Sequence, residues 1–100
     1  ILFDSKRVEF NQYKNNELLL CPIINNGDEL FAKIKELINE CYKRKEAIGE
    51  NNFESSRKQN IHHFPYILLV IDEYADIANK ELNNVLLELM KDGFKYGRKG

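Results

Sequence analysis

The feature that most constrains this chain is the run Phe64-Pro65-Tyr66-Ile67-Leu68-Leu69-Val70-Ile71-Asp72-Glu73-Tyr74-Ala75-Asp76, an aliphatic stretch that ends abruptly in two adjacent carboxylates. A strand in the middle of a parallel sheet is buried on both faces and reads as unbroken Val, Ile and Leu, so charge enters only where the strand leaves the sheet. Ligands of open α/β sheets bind at that carboxyl edge. The run therefore predicts an α/β fold and marks Asp72 and Glu73 as the place where chemistry would sit.

Within a nucleoside-triphosphatase reading the run is a Walker B pattern, in which Asp72 would hold a magnesium ion through water and Glu73 would polarise the attacking water. Aliphatic strands ending in an acid also occur in α/β domains that bind no nucleotide, so the flanking residues matter. Phe64-Pro65-Tyr66 before the strand and Tyr74-Ala75-Asp76 after it resemble the corresponding segment of FtsK/SpoIIIE-type DNA translocases. Tyr74 stands where that family usually has Leu or Phe. It also separates the chain from the DEAD-box helicases, whose Asp-Glu-Ala-Asp is contiguous.

Two further segments carry the resemblance. Ile1-Leu2-Phe3-Asp4-Ser5-Lys6-Arg7-Val8-Glu9-Phe10 is similar to the family's strand followed by Asp-Pro-Lys-Arg-Val-Glu-Leu. Ser5 departs from the family's Pro, which frees the backbone of that turn and supplies an N–H. Asp4, Lys6 and Arg7 read as a solvated strand end and turn, with roles near the nucleotide or a neighbouring subunit as the alternative. Gly97-Arg98-Lys99-Gly100 is similar to the Gly-Arg segment that follows the Walker B helix in these motors. The resemblance makes Arg98 a candidate catalytic residue acting on a neighbouring subunit's ATP. The competing reading is a basic residue favoured at a helix C-terminus by the macrodipole.

Together these matches imply a RecA-like P-loop NTPase fragment, a mostly parallel sheet flanked by helices, in which residues 1–100 form part of one FtsK/SpoIIIE-like ATPase domain. No G-x-x-x-x-G-K-[ST] occurs in the sequence, so the loop that cradles phosphates would lie upstream and a polar sensor strand downstream. The resemblance implies ATP and Mg²⁺ as cofactors, double-stranded DNA as partner and a homo-oligomeric, hexameric ring. The segment is expected to be a cytoplasmic domain without membrane contact of its own, with a membrane-anchored parent left open. The same motifs resemble the type VII secretion motors, which move polypeptide. A non-catalytic interaction domain that kept the fold is a third reading. This segment alone would be inactive.

Composition is compatible with these readings and selects none of them. Of the 100 residues 43% are apolar, the formal net charge is -1 and the sequence pI is near 6.2. No global field attracts nucleic acid, so DNA contacts would come from local basic clusters. Cys21 and Cys41 lack metal or redox spacing and read as reduced, buried small hydrophobes.

Glu17 to Ile24 reads as a short extended segment, with Pro22 marking an edge or an irregular end, and it is expected to lead into the helix rather than the core sheet. Asn26, with Glu29 three residues later, is an N-cap signature, and Leu30, Ile34, Leu37, Ile38, Cys41 and Ile48 recur at helical spacing. The spacing predicts a helix over Gly27 to Ile48. On it Arg44 reads as a solvated residue, with subunit or DNA contact as the alternative. The polar stretch Glu50 to Asn60 reads as a surface loop. His62 and His63, as neighbours on an extended chain, cannot easily share one metal ion. A second helix opens at Asn79-Lys80-Glu81 with Leu82, Val85, Leu86, Leu89 and Met90 on one face, and Gly93 is expected to cap or break it. Asp76 reads as a cap on the turn after the strand, or as a partner of the site.

Overall fold

The computed structural model describes residues 1–48 and 64–96. The polar stretch 50–60, His62, His63 and Arg98 lie outside these residues. Two parallel strands, β1 (Leu2–Asp4) and β2 (Val70–Asp72), are combined with two long helices, α1 (Gly27–Ile48) and α2 (Lys80–Tyr96). The α/β class read from the sequence is thus seen directly.

Helix α1 occupies the span that its periodicity predicts, because its ends are chemically marked. Asn26 Oδ1 accepts the Glu29 N–H at 2.9 Å, and Asn26 O accepts the Leu30 N–H at 3.1 Å. Asp28 and Glu29 sit in its first turn and Lys45 in its last, matching the helix dipole. Leu30, Ile34 and Ile38 form its buried stripe. Asn79 caps α2 in the same way, its Oδ1 accepting the Leu82 N–H at 2.8 Å. The helices pack on one another and share one core with β1, made of Ile1, Phe3, Ile24, Leu30, Ile34, Ile38, Leu82 and Val85. Each fully buried Leu or Ile there contributes about 1.5–3 kcal/mol.

Two expectations about α2 are corrected. The helix passes through Gly93 and runs to Tyr96; one helical glycine costs only about 1 kcal/mol, less than a four-turn helix with a packed face gains. Met90 is exposed and not part of the buried face.

Among the described residues β1 has a neighbour on each of its edges. Successive residues of a strand point their amide groups to opposite edges. The Leu2 carbonyl and Asp4 N–H bond to Ile24 at 3.0 and 2.8 Å, while the Ile1 carbonyl accepts the Val70 N–H at 3.0 Å on the other edge. Ile24 forms a parallel bridge with Phe3, so β1 lies between it and β2, and Phe3 is fully buried. The expected extended segment is corrected: residues 17 to 22 run through a turn and a bend, and Ile24 joins the sheet by a single bridge before the chain enters α1. Strand β2 has one neighbour among the described residues, and its three residues are half-buried. Upstream of it Leu68 and Tyr66 are exposed, and the Leu68 carbonyl accepts from the Ile1 nitrogen at 2.8 Å. Cys21 and Cys41 are half-buried and form no disulfide with each other.

Arg44 is held rather than solvated. Its Nε donates to Glu40 Oε1 at 2.8 Å, a second guanidinium nitrogen donates to the Pro65 carbonyl at 2.8 Å, and the group lies 5.1 Å over the Phe64 ring. It ties α1 to the chain entering β2.

Candidate active site at the sheet edge

The two strands are in register from Leu2↔Val70 to Asp4↔Asp72, so each ends in an aspartate at the same level of the sheet. Asp4 is fully buried. Its Oδ1 accepts the Lys6 N–H at 3.2 Å and its Oδ2 the Phe10 N–H at 2.9 Å, while its carbonyl accepts the Arg7 N–H at 3.3 Å. The Phe10 N–H above all, with those of Lys6, Arg7 and Val8, holds the Asp4 carboxyl below the usual carboxylate range against the opposing pull of burial. The reading of Asp4 as a solvated strand end is therefore corrected. A carboxylate whose neighbours are unpaired N–H groups is drawn inward to satisfy them. Arg7 completes the turn with φ 58°, and its side chain stays exposed as expected.

Strand β2 ends differently. Asp72 is half-buried, and Glu73, fully at the edge, adopts the left-handed conformation with φ 54° and ψ 55°. That region is uncommon for a residue with a Cβ and is concentrated at functional sites. A short 3₁₀ turn, Tyr74–Asp76, comes next, closed by the Asp76 N–H donating to the Glu73 carbonyl at 3.0 Å. The Tyr74 hydroxyl donates to Asn83 Oδ1 on α2, and burial pushes that hydroxyl's pKa up. A Leu or Phe at position 74 would pack similarly but could not make this bond.

Lys6 joins the two strand ends. Its Nζ lies 3.9 Å from Glu73 Oε2 and 3.5 Å from Asp76 Oδ2. The Glu73 carboxylate, then that of Asp76, hold the Lys6 ammonium above the usual lysine range. Asp76 therefore faces the site, and Asn79, three residues on, caps the helix. These contacts were not read from the sequence. One signal for them was present: an Asp two residues before a Lys at a strand end is the pattern of an Asx turn, which fixes where the Lys leaves the backbone.

Of the sequence-predicted site residues, the structure brings Asp72 and Glu73 together at the carboxyl edge, and Arg98 lies outside the described residues. Among the described residues no three side chains converge as a metal site. A divalent ion at Asp72 would meet a carboxylate there, a hard oxygen ligand of the kind Mg²⁺ takes. No helix among the described residues is long and apolar enough to cross a membrane.

Comparison with known proteins extends the motif resemblance over most of the chain. It is 29% identical over 98 residues to the DNA translocase FtsK of Oceanobacillus iheyensis, covering 85% of this chain and 12% of that protein. It is 29% identical over 104 residues to the DNA translocase FtsK of Staphylococcus aureus, covering 86% and 13%, and 26% identical over 107 residues to that of Bacillus cereus, covering 89% and 13%. The chain spans 12% to 13% of the length of these curated relatives and is similar to one segment of them. No family model matches the chain, and no solved structure matches it.

Proposed function

We propose that this chain is a segment of an ATP-driven DNA translocase motor of RecA-like fold, and that the exit of β2 is its hydrolytic edge. The observation that carries the reading is the placement of Asp72 and Glu73 at the carboxyl edge of a parallel strand, with Glu73 in a left-handed backbone conformation, in a chain similar to FtsK translocases. In this reading Asp72 orients magnesium through a bound water, and Glu73 accepts a proton from the water that attacks the terminal phosphate. Magnesium, when bound, supplies the charge that offsets the phosphate oxygens. A guanidinium at Arg98 acts across a subunit boundary in a hexameric ring. In this reading the segment lies in a cytoplasmic domain, and its cargo is double-stranded DNA.

The test is ATP hydrolysis by the full-length protein, with and without double-stranded DNA, for wild type and Glu73→Gln. Hydrolysis stimulated by DNA and lowered by roughly 10² to 10⁴ in the variant supports the reading. Hydrolysis indifferent to DNA points to a polypeptide cargo, and none at all points to a non-catalytic interaction domain.

A further inference from the structure

We infer that Lys6 is a positioning residue for Glu73, reaching from the turn after β1 to orient the carboxylate at the exit of β2. The inference rests on the proposed hydrolytic role of Glu73 and adds a residue to that site. Both ends of the contact are built on fixed backbone. On one side the buried Asp4 carboxylate holds the Lys6 and Phe10 N–H groups, and Arg7 turns the chain back with φ 58°. On the other, Glu73 is set by its left-handed backbone, by the Asp76 N–H on its carbonyl, and by the Tyr74 hydroxyl on Asn83. One flexible cation spans the gap, 3.9 Å from Glu73 and 3.5 Å from Asp76.

Asp72, Glu73 and Asp76 place three carboxylates within five residues, and their mutual repulsion would turn the exposed Glu73 side chain outward into water. An ammonium between two of them opposes that drift. The raised Lys6 pKa, with Glu73 as its first cause, agrees with the geometry. Asp76 is the nearer acceptor and shares the cation, so it sets how strongly Lys6 draws Glu73.

The experiment measures steady-state ATP hydrolysis by the full-length protein carrying Lys6→Ala, Lys6→Arg, Glu73→Gln or Lys6→Ala with Glu73→Gln, together with NMR titration of the Lys6 Cε resonance in wild type and Glu73→Gln. Lys6→Ala is expected to lower kcat about two- to fivefold, the range of an exposed ion pair, with KM for ATP held within about twofold. Lys6→Arg restores most of the loss. Adding Lys6→Ala to Glu73→Gln changes nothing further, and Glu73→Gln lowers the Lys6 titration midpoint. An unchanged kcat in Lys6→Ala overturns the inference, as does an equal loss in the Glu73→Gln background, which would mark a structural role. A wild-type protein that hydrolyses no ATP, yet whose Lys6 midpoint still falls in Glu73→Gln, overturns the ATPase reading and the positioning role built on it. The ion pair itself would stand.

Discussion

Two aspartates end two neighbouring strands at the same level of one sheet, yet they are set to different work. Asp4, on the central strand, is fully buried and spends its oxygens on backbone N–H groups of the adjoining turn. Asp72, on β2, is half-buried beside an exposed Glu73. The difference arises from the backbone on the C-terminal side of each aspartate. After Asp4 the chain folds back over it and offers donors; after Asp72 a left-handed residue and a 3₁₀ turn carry the backbone away. Burial with donors makes a carboxylate structural, and partial exposure at a sheet edge leaves it available for a ligand.

The sharpest way to break this contrast is to make the same substitution at both positions. Asp72→Asn is expected to lower ATP turnover by the full-length protein about a hundredfold or more, while its thermal unfolding midpoint stays close to wild type. Asp4→Asn is expected to do the reverse at first order, lowering the midpoint by several degrees, because an amide at that site cannot accept with both of its ends. If the midpoint fell in Asp72→Asn and held in Asp4→Asn, the assignment of roles would be inverted.

Acid titration tests the role of the buried Asp4 further. The folded Asp4 carboxyl lies below its ordinary value of 3.8, so it contributes stability that is fully present above that value and is lost as pH falls through the lowered folded value. Unfolding midpoints tracked on acidification should therefore decline less steeply in Asp4→Asn than in wild type in that window. An identical decline would remove Asp4 from the acid response.

Smaller effects test how β2 is held. Arg44→Ala removes the charge-assisted bond that fastens the entry of β2 to α1 and a second one to Glu40 within α1, and chemical denaturation should show a loss of about 1–2 kcal/mol. Tyr74→Phe deletes one hydroxyl at the exit, with an expected loss of about 0.5–1.5 kcal/mol. A larger loss from Tyr74→Phe than from Arg44→Ala would mean that the exit, not the entry, anchors β2.

The parts of this molecule that were legible beforehand are those written in local chemistry. Helix α1 could be bounded because Asn26 caps it and its apolar residues recur at one spacing. The sheet edge could be located because charge ends an aliphatic run. Features that depended on distant neighbours were not legible. Nothing in the sequence around Arg44 indicates that it reaches Pro65 and Phe64. The Lys6 contact with Glu73 joins residues far apart along the chain, and only the register of β1 with β2 brings them together. Asp4 was hardest to read, since a polar residue at a strand end is ordinarily wet.

The left-handed backbone of Glu73 has a consequence for variation under selection. Glycine and asparagine occupy that conformation more readily than glutamate. A library randomised at position 73 and sorted only for folded protein should therefore drift toward those two residues, while one sorted for turnover should retain glutamate. How far the two winning pools diverge would measure how much conformational comfort this position surrenders to chemistry.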